Sequence, residues 1–293
     1  MVIKPFYEPG TGTWTYLLSD PARGAAAVID PVLVFDPVSG LTDSAFIERV
    51  MEAAAAAGCR IEWVLETHAH ADHVTAADLI RRKTGARIAC GKGICSVQET
   101  FSRVFGMDDT ATDGRQFDRL LSEGDRITVG EVEICVLETP GHTGDSVTYL
   151  VGDAAFIGDT LFAPAFGTAR CDFPGGDAAQ LYDSIRRLYQ LPRDTRLFLC
   201  HDYPEEGQEP RCEIPLAESM SDNVHLREDT ERSGFVAMRR ERDAQLGLPR
   251  LILPSLQMNI LAGAPPEPES NGVVYLKTPL DRPLAKLIEE HDE

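Results

Sequence analysis

Thr67-His68-Ala69-His70-Ala71-Asp72-His73 is the stretch on which the reading of this chain turns. It places three imidazoles and a carboxylate within six residues. The apolar run Ile61–Leu65 before it has the character of a buried strand. The helical spacing of Val74–Lys83 after it closes at Gly85. The cluster therefore lies on a loop at the C-terminal end of a strand, where α/β folds carry functional groups. Neutral imidazole is a common metal ligand, and Asp either binds a metal or orients a His. Packing so many titratable groups together without a metal would bring no gain.

Further candidates follow at the ends of other apolar runs. Leu137–Pro140 leads into Gly141-His142, Ala154–Gly158 into Asp159-Thr160, and Leu197–Cys200 into His201-Asp202-Tyr203. Together they describe a site assembled along one edge of a sheet sandwich. Thr13–Leu18, Ala25–Ile29, Arg87–Cys90 and Arg196–Cys200 read as strands. Arg126–Val129 with Val132–Leu137, and Val147–Val151 with Ala154–Ile157, read as hairpins. Ser44–Ala57, closed by Gly58, and Asp177–Gln190, with an acidic first turn, read as helices. Composition shifts near residue 205. Beyond the polar loop Glu205–Pro210 come a charged helix (Phe235–Gln245), an apolar run (Leu251–Ile260), a Pro-rich loop (Ala264–Glu269) and a last strand (Val273–Leu276).

The 293 residues carry 28 Lys+Arg against 47 Asp+Glu, a net charge of −19. That balance disfavours partners with anionic surfaces, both nucleic acid and membrane. An anionic substrate would need a locally positive pocket. No run reaches 18 apolar residues, and Met1–Gly10 lacks the apolar core of a signal peptide, so a cytoplasmic location is expected. Seven cysteines, scattered without CxxC spacing, resemble neither a disulfide framework nor a Cys-rich zinc site. Cys171, with no visible activating partner, reads as inert.

The ordered set His68-x-His70-x-Asp72-His73, His142, Asp159 and His201 resembles the metallo-β-lactamase superfamily. The resemblance covers about residues 10–205 and implies an α/β fold, an αββα sandwich with the metal site at one edge between the sheets. Residues 1–210 are then the catalytic domain. Residues 211–293 form a C-terminal extension, expected to be part of the same compact unit. Gly158-Asp159-Thr160-Leu161-Phe162 followed by Arg170-Cys171-Asp172-Phe173 resembles the ETHE-like persulfide dioxygenases. The extension, with Met238–Ala244 and Leu253–Asn259, resembles the longer bacterial ones.

That resemblance implies one Fe(II) per chain, held by His68, His142 and Asp159. Two imidazoles and a carboxylate are the facial-triad set of non-haem iron. It also implies glutathione persulfide and O₂ as substrates. His70, Asp72, His73 and His201 would lie behind these ligands or hold a second metal. The same residues also suit a glyoxalase II-like hydrolase of glutathione thioesters with two zinc ions or a mixed zinc–iron pair, and the residues leave both open. Tyr203 is a catalytic candidate near the bound sulfur. Arg170 with Asp172, and more weakly Arg227 and Asn259, are candidates for holding glutathione. Oligomeric state is not legible in the residues, although this branch commonly forms dimers.

Overall fold

The computed structural model describes residues 1–204, 207–284, 286 and 287. Positions 205 and 206 of the expected polar loop, position 285, and the last six positions of the expected extension lie outside the described residues. The chain starts with three antiparallel strands, β1 (Val2–Glu8), β2 (Thr13–Asp20) and β3 (Ala25–Ile29). A ribbon of β4 (Val32–Asp36) and β5 (Leu41–Asp43) leads into helix α1 (Ala45–Ala56). Then come β6 (Arg60–Leu65), the short β7 (Val74–Thr75), α2 (Ala77–Thr84), β8 (Arg87–Gly91), α3 (Ile94–Val104) and β9 (Arg119–Leu121). The first sheet has the order β1-β2-β3-β6-β8-β9, with its last four strands parallel.

The second half opens with β10 (Arg126–Val129), β11 (Val132–Glu138), β12 (Val147–Val151) and β13 (Ala154–Phe156), all antiparallel neighbours. After α4 (Ala178–Leu188), β14 (Arg196–Phe198) joins β13 in parallel, and β15 (Glu213–Pro215) closes the sheet. Helices α5 (Leu216–Asp222), α6 (Arg232–Asp243) and α7 (Ile252–Asn259) follow.

Alternation along the strands explains the layers. Tyr16 and Leu18 of β2 face a core shared with Tyr149, Phe156 and Phe198 of the second sheet, whereas Leu17 faces the helices. A strand buried on both faces reads as a continuous apolar run, as Ala25–Ile29 does. α1, α2, α3 and α7 cover the first sheet through Ile47, Val50, Ile80, Phe101 and Leu256. α4, α5 and α6 cover the second through Leu181, Ile185, Leu216 and Phe235. The result is the αββα sandwich, with extension residues built into both outer cores.

Three expectations need correction. The helix expected from Val74 starts at Ala77, because Val74–Thr75 pairs with Val32–Leu33 as a strand and Thr75 Oγ1 accepts the Ala77 N–H. Val273–Leu276 is not a strand: among the described residues it has no neighbouring strand to pair with, and Val273 and Tyr275 stay exposed. The acidic first turn expected of α4 is instead an N-cap, with the Asp177 carboxylate accepting Gln180 N–H. The sequence reading has no counterpart for β1, β4, β5, β9, β15, α3 or α5. No helix among the described residues is long and apolar enough to cross a membrane.

Candidate metal centre and substrate cleft

The two sheets meet at one edge. Thr13 bridges to His201, and Trp14 N–H donates to Cys200 O at 2.7 Å. Every loop of the histidine constellation arrives at this edge. His68, His70, Asp72 and His73 follow β6, His142 follows β11, Asp159 follows β13 and His201 follows β14. Two glycines permit the close approach. Gly141 has φ +136, and a Cβ there would meet Leu181 N at 2.2 Å. Gly158, just before Asp159, has φ +51, and a Cβ there would sit 2.7 Å from Thr67 Oγ1. A side chain at either position would displace the ligand beside it.

Four of the five imidazoles are held from behind. Asp30, at the end of β3, accepts Thr67 N–H (2.8 Å) and Thr67 O–H (2.9 Å). Thr67 Oγ1 then lies 3.0 Å from His68 Nδ1, ready to accept its proton. His70 Nε2 lies 3.1 Å from Asp30 Oδ1, and His142 Nδ1 donates to Arg170 O at 2.7 Å. His201 Nδ1 faces Gly12 O and Thr13 Oγ1, each at 3.3 Å. Each outer bond orients its ring so that the other nitrogen faces the site, and at His70 the charges of Asp30 and Glu66 overcome burial and push the imidazole well above its ordinary value. Burial, then the neighbouring imidazoles His70 and His142, pushes His68 well below its ordinary value, so it is neutral and ligand-competent at neutral pH. Burial opposes ionisation of Asp72, but His201 and His73 overcome it and hold its carboxyl well below the usual range.

What remains is a set of buried polar atoms without a hydrogen bond, His68 Nε2, His70 Nδ1, both nitrogens of His73, Asp159 Oδ1 and His201 Nε2, the last of them 3.0 Å from Asp72 Oδ2. Leaving so many polar atoms dry and unpaired would be costly. Metal ions would take up the lone pairs among them, one ring N–H of His73 excepted, so the residues fit a metal. The ligand atoms of His68, His142 and Asp159 lie within 4.8 Å of one another, as do those of His70, Asp72, His73 and His201. Asp159 stands between the sets, with Oδ2 3.7 Å from His142 Nε2 and Oδ1 3.4 Å from His201 Nε2.

A cleft of about 500 Å³ opens onto this edge, and His142, Asp159 and Asp72 form part of its wall. Tyr203 stands at its rim, its ring stacked on His201 with centroids 5.9 Å apart. Burial, and behind it the charge of Asp72 and Asp159, pushes the phenol up, so it stays a donor. Phe162, Phe166 and Phe173 supply apolar walls.

The substrate candidates fare differently. Arg170 lines the cleft, but its guanidinium is taken: Nε and Nη2 fork onto Asp172 at 2.6 Å, and Nη1 donates to Gly247 O at 2.6 Å. It holds its own loop, and Asp172 is its counter-ion. Asn259 is a correction. Its amide donates to His70 O and His73 O and accepts Thr75 N–H, which clamps the histidine loop from below and leaves nothing for a substrate. Arg227 is another: it lies in a separate exposed hollow beside Glu228 and Asp229.

Sequence reasoning missed the cations that do reach the cleft, Arg239, Arg242 and Arg250. Arg239 is buried and paired with Asp243 at 2.6 Å. Among the described residues, Arg242 and Arg250 are exposed there with no acidic partner at salt-bridge distance, although the charge of Arg250 reaches Asp36. Their signal was the basic run from Met238 to Arg242, set in a strongly acidic chain.

His225 also lines the cleft, its Nδ1 accepting Thr168 N–H at 2.9 Å. Burial, then Arg239 and Arg242, lowers it from 6.5 to about 4. Between those values the unfolded chain binds a proton that the folded chain refuses, so His225 costs stability as pH falls through this window. Above pH 6.5 the effect vanishes. His225→Gln is expected to flatten part of the fall in melting temperature between pH 6.5 and 4, measured by calorimetry.

An αββα sandwich with a His/Asp metal site at the edge between its sheets defines a metal-dependent enzyme class. Residues 20–201 match the model of the metallo-beta-lactamase superfamily, and the chain belongs to it. It is 47% identical to a probable metallo-hydrolase of Burkholderia pseudomallei, over 96% of this chain and 99% of that protein. It is 32% identical to the mitochondrial persulfide dioxygenase ETHE1 of Homo sapiens, over 69% of each chain. The crystal structure of ETHE1 from Myxococcus xanthus superposes with a TM-score of 0.72 at 30% identity, covering 90% of this chain and 100% of that one. The chain spans only 64% of the longer beta-lactamase hydrolase-like protein of Agrobacterium fabrum, to which it is 48% identical over 95% of its own length.

Proposed function

We propose that the chain is an iron-dependent persulfide dioxygenase converting glutathione persulfide, O₂ and water to glutathione, sulfite and two protons. The observation that carries this reading is the His68–His142–Asp159 set, with His142 and Asp159 on the wall of a cleft whose unpaired cations come from the extension. The likeness to ETHE1 from Myxococcus xanthus supports it. Fe(II) held by these three residues would offer open positions and the electron that O₂ needs.

The chain's own groups do the remaining work. Arg242 and Arg250 meet the carboxylates of an anionic thiol, and the phenylalanines exclude water around its sulfur. Tyr203 O–H, protonated at neutral pH, donates a hydrogen bond toward the sulfur as charge develops on it. Neutral His225 adds a polar group to the wall without a charge of its own.

A second reading is a glyoxalase II-like hydrolase with two metals. The Asp159 carboxylate facing both His142 and His201, beside the unpaired ring nitrogens of His73, favours it. So does the likeness to a probable metallo-hydrolase. One experiment separates the two: metal content by mass spectrometry, with oxygen uptake on glutathione persulfide. About one iron per chain and O₂ consumption are expected. Two metals per chain, no uptake and thioester hydrolysis would sink the first reading.

A further inference from the structure

We infer that the C-terminal extension is a positioning clasp for the metal ligand His142, acting through Asp243 and Arg239. The inference rests on reading His142 as a ligand. His142 Nδ1 donates to the Arg170 carbonyl at 2.7 Å, so whatever fixes that carbonyl fixes the direction of Nε2. The carbonyl lies in residues 168–172, a segment in neither helix nor strand, where no ladder of backbone bonds restrains it.

The restraints come almost wholly from the extension. Arg239 Nη1 donates to Thr168 O at 3.1 Å, and Asp243 Oδ2 accepts Cys171 N–H at 2.9 Å. These two bonds flank Arg170 on either side. Gly247 O, one turn past α6, receives the Arg170 guanidinium. Upstream, Asn223 Nδ2 donates to Gly167 O at 3.0 Å, and His225 Nδ1 accepts Thr168 N–H.

The central pair is buried. Arg239 and Asp243 are 3% and 5% exposed and one helical turn apart, and Asp243 Oδ1 takes both Nε (2.8 Å) and Nη2 (2.6 Å) of Arg239. Buried charges with every acceptor engaged cannot relax into water, so they hold the loop stiffly. A partner behind a metal-bound His raises affinity by fixing tautomer and orientation. Here that partner is a backbone carbonyl, and α6 makes it rigid.

The test reads metal binding rather than turnover. The full chain, stripped of metal, is titrated with Co(II) against a chelator, and the visible d–d spectrum of the bound ion is recorded. Asp243→Asn gives up the charge that holds Arg239. It is expected to weaken Co(II) binding about tenfold and to change the spectrum. Arg239→Lys keeps the charge but loses the fork, and is expected to show a smaller shift in the same direction. Ile127→Val in β10 loosens the core between the sheets, a cluster that contains neither α6 nor residues 168–172. It should lower the melting temperature yet leave affinity and spectrum at wild-type values.

Wild-type affinity and spectrum in both folded clasp variants would overturn the inference, as would an Ile127→Val effect of equal size. If Asp243→Asn does not fold, Arg239→Lys decides alone. A wild-type chain that binds no Co(II) would remove the ligand reading itself, an outcome distinct from failure of the clasp.

Discussion

His142→Ala is expected to abolish iron retention and oxygen uptake together, with kcat/KM for glutathione persulfide falling by more than about a hundredfold. Loss of a partner behind a ligand costs about 10–100-fold in affinity or activity, and loss of the ligand itself exceeds that. With His142 gone, the three-donor set retains only His68 and Asp159. Asp159 Oδ2 also loses the imidazole 3.7 Å away that helps orient it.

His73→Ala is the comparison that gives this result its meaning. His73 is fully buried, belongs to the other donor set, and does not line the cleft. In a mononuclear enzyme that variant keeps its iron and most of its oxygen uptake. In a dinuclear hydrolase it loses one metal of two. Iron by mass spectrometry and uptake at an oxygen electrode, on both variants, check the pair. Loss of all iron from His73→Ala would contradict a site built on His68, His142 and Asp159 alone.

The fold and the metal edge were legible because they depend on local signals. Strand-like runs ending in His or Asp mark where a sheet presents its ligands, and His68, His142, Asp159 and His201 all sit at such ends. Asp30 gives the same signal at the end of Ala25–Ile29, but its role shows only once β3 lies parallel to β6 and the carboxylate reaches Thr67 and His70. Val273–Leu276 has strand composition, yet a strand exists only with a partner, and none is adjacent.

Long-range pairing also decided the substrate candidates. Arg170 and Asp172 are two residues apart and neutralise each other, and the third contact, Gly247, is 77 positions away. Asn259 reaches the backbone of His70 and His73 across nearly 190 positions. Neither contact has a signature in composition or periodicity. Both follow from how the extension folds back onto the sandwich.

The same folding back resolves how a chain of net charge −19 could admit an anionic thiol. Of the arginines on the cleft wall, Arg170 and Arg239 are each paired with a carboxylate, and Arg242 and Arg250 are not. The double variant Arg242→Gln, Arg250→Gln should therefore lower kcat/KM for glutathione persulfide about a hundredfold. A hydrogen bond to a charged group is worth about 1.5–3 kcal/mol, and 1.4 kcal/mol is tenfold, so two such contacts give at least that. The loss should fall mainly on KM, because neither residue is among the metal donors. Iron content should stay at the wild-type level, which separates this effect from damage to the His142 loop. Raising ionic strength should weaken the wild-type enzyme and change the double variant little, since the attraction being screened is already gone. A double variant with wild-type KM and unaltered salt dependence would show that the anion enters elsewhere. With Arg170 and Arg239 already engaged, the described residues of the cleft wall would then offer no unpaired arginine to receive it.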